Sequence, residues 1–244
     1  MRLRSSVVDV KELTAKDRQE MFALMQRCFA NLNMETFETD LERKWVVIQV
    51  HDPSSGKLVG FSTQTMLEAT VSETPISALF SGDTVVEPSY WGDPALAHEW
   101  GQFALRLIDQ QSAGKLFWFL TSKGFRTYRY LPLFFRQYHP RWSEGMAHGE
   151  TAVIDALGKL VGGHRYDPHQ RIIHATADKD YVRSGISDAD RRKGSDPHIR
   201  FFIEQNPGHA KGDELCCIAP LSRQNFTRAA YRVINAHTAD REAM

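Results

Sequence analysis

Apolar positions along the chain follow two periods, one of helices and one of strands. Within "ELTAKDRQEMFALMQRCFANL", Met21, Leu24, Met25, Cys28, Phe29 and Leu32 recur three and four apart, which places them on one helical stripe. Thr14 stands where an N-cap belongs, ahead of a charged first turn. A shorter helical piece around "METFETDLERK" precedes "WVVIQVHD", a β-branched run that predicts a strand. "DPSSGK" has the composition of a hairpin loop, and "LVGFSTQTMLEATV" follows as a long strand with polar residues on both faces. After the break at "ETP", "ISALFSGDTVVEP" predicts a third strand. Links this short join antiparallel neighbours, so the three make a meander.

The period then changes. From Asp93 onward, Leu96, Trp100, Phe103, Ala104, Leu107 and Ile108 recur at helical spacing, with Asp93 suited to the N-cap and Pro94 to the first helical position. His98 falls on the turn away from Leu96 and Trp100 and is expected at the surface. "QQSAGK" ends the helix, and "LFWFLT", apolar at every position but the last, predicts a central strand parallel to the one before the helix. "FRTYRYLPLFFRQYHPRW" is aromatic, basic and partly helical. The pattern weakens from about 145 to 197, although "ETAVIDALGKLVGG" suits a helix closed by Gly162. That stretch is expected to be an insertion within a single domain, 1–244. A β-hairpin over 198–221 and a last helix are expected after it.

Composition narrows the function classes. In 244 residues, Lys+Arg and Asp+Glu each total 30, so no global field favours nucleic acid or an anionic membrane. Apolar runs are too short to span a bilayer, and the start lacks the apolar segment of a signal peptide. Three cysteines, two of them adjacent, give no disulfide framework, so a cytoplasmic protein is expected. His164, His169 and His174 step by five with Pro168 between them, which is no metal-ligand spacing, and no metal is expected.

The order of elements, together with "GKLVGFSTQTM", "DTVVEPSYWG" and "FLTSKGFRTYRY", resembles the GNAT acyltransferases, the Gcn5-related N-acetyltransferases. Val86, Pro88, Tyr90 and Gly92 match the end of that family's fourth strand and its following loop, with Trp91 where arginine or glutamine is usual. The resemblance covers roughly residues 10–137, and the hairpin near 198–220 would supply the last two strands. It implies an α+β fold in α/β/α layers, with a mixed, mostly antiparallel sheet whose strands four and five splay apart. It also implies an acyl-CoA or other phosphopantetheine thioester as co-substrate, an amine acceptor, and a donor site near Val85, Val86, Tyr90, Trp91, Gly92, Asp93 and Thr121.

Two departures bear on the donor. Pro94 removes an amide from the helix start, and the Asp93 carboxylate competes there with an incoming pyrophosphate. An acyl carrier protein would present only one phosphodiester. It would need a basic surface, for which Lys123, Arg126, Arg129 and Arg136 are the candidates. For the chemistry, Asp83 lies on the fourth strand, where several members of the family carry a carboxylate base. Its apolar neighbours should raise its pKa. Tyr128, seven residues beyond Thr121, or else Tyr130, is the candidate general acid. The alternative from another class is a domain that has lost catalysis and binds an acyl chain, a small ligand or a partner protein.

Overall fold

The computed structural model describes residues 2–111, 114–143, 148–183, 186 and 196–236. The chain opens with β1 (Arg4–Asp9) and α1 (Ala15–Cys28), then β2 (Phe29–Ala30) and α2 (Met34–Leu41). Thr14 and Asp17 form a reciprocal capping box at the start of α1, whose inward face is Met21, Leu24, Met25 and Cys28. The meander follows as β3 (Val46–His51), β4 (Leu58–Val71) and β5 (Thr74–Val86), paired antiparallel. Its second turn is only Ser72 and Glu73, both at positive φ, so the strands run through the expected break.

The crossover helix α3 (Ala95–Gln110) leads to β6 (Lys115–Ser122), which pairs parallel to β5. Two short helices, α4 (Phe125–Tyr128) and α5 (Tyr130–Phe134), come next. They are followed by α6 (His148–Gly162), β7 (Tyr166–Asp167), β8 (Ile172–Ile173), β9 (Tyr181–Val182), α7 (Pro197–Gln205), β10 (Glu214–Pro220) and α8 (Arg228–Ile234). The main sheet runs β1-β3-β4-β5-β6-β10-β8-β7, and β2 pairs with β9 separately.

Alternation along each strand divides the core. Val46, Ile48, Val50, Leu79 and Trp118 pack against α3, α5, α7 and α8 on one face. On the other face Val47, Phe61 and Val85 meet α1 and α2, while Phe80, Phe119, Cys216 and Ile218 meet α6. Among the described residues no helix is long and apolar enough to cross a membrane.

The expected hairpin over 198–221 is corrected. Residues 197–205 are a helix, with Asp196 accepting from His198 N, Pro197 in the first turn, and Ile199 and Phe202 inward. Two adjacent phenylalanines look strand-like, but the cap and the three-residue spacing select a helix. The strand beside β10 is instead β8, from the stretch expected as an insertion. That stretch also supplies α6, so part of it belongs to the core. His98 is corrected too: it is 7% exposed, with Nδ1 3.1 Å from Val233 O on α8.

Candidate functional site

β5 and β6 stay paired only from Ile76/Lys115 to Ser81/Leu120. Beyond that, β5 continues along β4 to Val86, while β6 continues along β10 to Ser122. The two strands therefore part at their C-terminal ends, leaving the backbone edge of Gly82 to Val86 without a neighbouring strand.

A bulge sits at the point of parting. Ser62 opposes Thr84 and Gln64 opposes Ser81, so β5 carries one residue more than β4 in that step, at Gly82–Asp83. The bulge sends Ser81 and Thr84 to the α3 face, while Gly82 turns to the α2 face. A Cβ on Gly82 would lie 2.7 Å from Thr63 Oγ1 and 2.9 Å from Lys44 Cε, so this position has no room for a side chain.

Asp83 is half-buried in the opening, and no described residue hydrogen-bonds its carboxylate. Burial pushes its pKa up to about 6; Lys123 opposes the rise, Asp40 and Asp180 add to it, and Lys44 pulls it down. A carboxyl balanced in this way takes and returns a proton near neutral pH. Around it, Lys44 Nζ lies 2.6 Å from Asp40 Oδ2, and Lys123 Nζ lies 2.6 Å from Asp180 Oδ2 and 3.8 Å from Glu214 Oε1.

On the α3 face the parting opens a narrow cavity of about 40 Å³. Leu96, Trp100, Trp118 and Tyr130 line its sides. Its floor is a hydrogen-bonded chain. Thr84 Oγ1 meets Ser62 Oγ at 2.7 Å, and Gln64 Nε2 donates to Ser62 Oγ at 2.7 Å. Ser81 Oγ donates to Gln64 Oε1 at 2.6 Å, and Trp118 Nε1 donates to Ser81 Oγ at 2.9 Å. A fully buried glutamine in a sheet requires such partners.

This combination of strand order and parting decides the fold. The sheet is mixed and mostly antiparallel, with its fourth and fifth strands splayed as the resemblance implied. No family model matches the chain, and no curated protein matches it. Among solved structures it is similar to a conserved protein from Enterococcus faecalis V583 described as a probable N-acyltransferase. The two are 17% identical over 55% of this chain and 33% of that one, with a TM-score of 0.41. It is also similar to Saccharomyces cerevisiae N-myristoyltransferase with bound myristoyl-CoA, at 17% identity over 50% of this chain and 30% of that one, with a TM-score of 0.40. The ribosomal-protein-S18-alanine N-acetyltransferase from Escherichia coli is 14% identical over 60% of this chain and 88% of that one, with a TM-score of 0.37. The chain spans about a third of the length of the first two.

The chain's own geometry sets the contacts of each expected donor residue. Glu87 N donates to Val59 O, so ladder alternation turns the amide of Val85 toward β4 and that of Val86 into the opening. Val85 therefore offers only a buried side chain on the α1–α2 side. The Val86 carbonyl accepts from Trp91 Nε1 at 2.9 Å, and the Arg126 guanidinium stacks 3.9 Å over the Trp91 ring. Tyr90 donates to Asp52 Oδ2 at 3.2 Å in the first hairpin loop. Gly92 has φ +98°, which a glycine adopts without strain. Asp93 Oδ1 accepts from Ala95 N at 2.9 Å, while Pro94 itself takes the cap position, so α3 begins one residue later than expected. Thr121 donates to Glu214 Oε1 at 3.2 Å.

Two expectations are corrected here. Tyr128 is fully buried and donates to Pro140 O at 2.9 Å; burial drives its pKa far up, and its hydroxyl does not reach the opening. Tyr130, the alternative, lines the cavity. The expected basic docking surface also comes apart. Lys123 is 9% exposed and committed to Asp180, Arg126 stacks on Trp91, and Arg129 reaches Asp196 at 3.7 Å, leaving only Arg136 exposed. Sequence reading missed Asp40, Lys44, Asp180 and Glu214. It did register polar residues on both faces of β4, the trace of the Ser62–Gln64 chain.

Proposed function

We propose that the chain is an N-acyltransferase that moves an acyl group from a pantetheine thioester, free as acyl-CoA or carried on an acyl carrier protein, to a small-molecule amine. The observation that carries this reading is the parting of β5 from β6 with Asp83 in the gap. A thioester entering from the α3 face and an amine from the α2 face would meet there, which turns a two-body encounter into a positioned one.

In that arrangement the amine arrives as an ammonium and gives a proton to Asp83. The freed lone pair attacks the thioester carbonyl, and the carbonyl's π electrons move to its oxygen, which the Val86 amide, turned into the opening, is placed to stabilise. Collapse of that intermediate breaks the C–S bond. The departing thiolate then takes a proton from Tyr130, and the phenolate this leaves, made strongly basic by burial, takes the surplus proton from the new amide nitrogen, while Asp83 gives its own proton to water.

The test is release of free thiol from acyl-CoA, acyl-pantetheine and acyl carrier protein, each with and without primary amines. Amine-dependent release is expected from at least one donor. Thioester binding without release would overturn transfer and leave a binding module; absence of binding by all three donors would overturn both.

A further inference from the structure

Beyond Ser81 the edge of β5 turned toward β6 has no strand beside it, so its backbone groups there need other partners. Because Glu87 N bonds to Val59 O on the β4 side, alternation turns the Val86 carbonyl, like its amide, into the opening. The protein supplies a partner for that carbonyl itself. Trp91, five residues on, folds back over the single helical turn Pro88–Tyr90 and donates Nε1 to Val86 O at 2.9 Å.

The indole is held from the other side of the gap as well. Arg126 belongs to α4, which follows β6 after only Lys123 and Gly124, and its guanidinium lies 3.9 Å over the Trp91 ring. A residue from the β5 side and one from the β6 side thus meet across the parting. Both are half-buried, so water reaches the pair. One hydrogen bond and one stack at a wet site are each weak, a combination that seats a side chain and still lets it leave.

We propose that Trp91 is a gate on the donor groove: closed, its indole occupies the Val86 carbonyl, and a pantetheine thioester opens it by putting an amide N–H of its own arm in that place. This rests on the acyl-transfer reading for the ligand that enters. In that reading the thioester carbonyl meets the Val86 amide, which brings the first amide of the arm alongside the same residue's carbonyl. The ring and the arm then need the same side of Val86, on an edge that an extended chain joins as a strand would. The donor therefore binds the fraction of molecules whose gate is open, and its apparent affinity falls by that fraction.

Acetyl-pantetheine, which carries amides and no pyrophosphate, is titrated calorimetrically into the full-length wild type, Trp91→Phe and Trp91→Ala, with unfolding curves to show that both variants fold. Trp91→Phe keeps a ring for Arg126 and loses the N–H; it should bind the probe about 3- to 10-fold more tightly. Trp91→Ala loses the stack too and should bind about 10- to 100-fold more tightly. In isotope-labelled wild type, the indole N–H resonance that Trp91→Phe lacks belongs to Trp91, and it should move upfield as the probe saturates. Affinity unchanged or lower in both variants, or a resonance unmoved at saturation, would overturn the gate and leave the donor site. Tighter binding in the variants with no thiol released to any amine would overturn acyl transfer and leave the gate. Binding to none of the three proteins would overturn both.

Discussion

Asparagine at position 83 keeps the size of the side chain and removes the charge that burial makes costly. The ordinary carboxyl value is 3.8 and the folded value is about 6, a rise of roughly two pH units. At about 1.4 kcal/mol per unit, the ionised form costs the folded state at most about 3 kcal/mol. Water at the half-buried carboxyl reduces this to about 1–2 kcal/mol. Below about pH 4 the group is protonated in both states, and the wild type and Asp83→Asn should be equally stable. Between about pH 4 and 6 the unfolded chain ionises first, so the wild type loses stability as pH rises. Above about 6 the difference is constant, with the variant more stable. Urea unfolding of both proteins from about pH 4 to 8 measures this directly, because contributions from other groups cancel in the difference. A variant less stable than wild type above pH 6 would refute the reasoning, since Asp83 would then be a net stabilising partner of Lys123. Thiol release should fall by roughly 10²- to 10⁴-fold in the same variant, and the wild-type rise in rate through about pH 6 should vanish. Unchanged turnover would remove Asp83 as the base.

Tyr128→Phe leaves the Pro140 carbonyl without its donor and should cost about 1 kcal/mol in urea unfolding, with turnover per folded molecule unchanged. Lost turnover in a fully folded variant would return Tyr128 to the chemistry. Gly82→Ala forces a Cβ against Thr63 and Lys44 and should lower stability by about 1–3 kcal/mol; an unchanged melting temperature would show that the bulge yields freely. Lys123→Met leaves Asp180 with Lys179 and Glu214 with the Thr121 hydroxyl as their remaining partners and should cost about 3 kcal/mol near neutral pH. Lys123 helps hold Asp180 below 3.8, so that deficit should shrink in urea unfolding as pH falls through and below this value. A deficit independent of pH would assign the loss to packing of the lysine stem.

Local chemistry made much of the fold legible in the sequence. Thr14 and Asp17 cap α1 through neighbours three apart, and the inward stripe of Met21, Leu24, Met25 and Cys28 is a matter of helical period alone. The meander was readable for the same reason, because adjacent strands joined by short links have one easy way to pair. Asp83 could be singled out because a carboxylate in an apolar strand is conspicuous at short range. The helix at 197–205 was not legible, since "RFFI" suits either period and the Asp196 and Pro197 cap outweighs its strand-like residues.

By itself, then, the sequence determined the elements whose causes lie within a few residues, and the order that makes them a mixed sheet. Only the tertiary structure decided what those elements enclose. Asp40, Lys44, Asp83, Lys123, Asp180 and Glu214 come from five separate places along the chain, and apart from the four-residue step from Asp40 to Lys44 no spacing relates them. The same holds for Tyr128, whose hydroxyl was claimed by Pro140 through a contact that aromatic patterning does not reveal. Charge around a cleft is a sum over neighbours in space. In this chain the sum is set by where β5 leaves β6, which is decided by pairing across the sheet rather than by the residues of either strand.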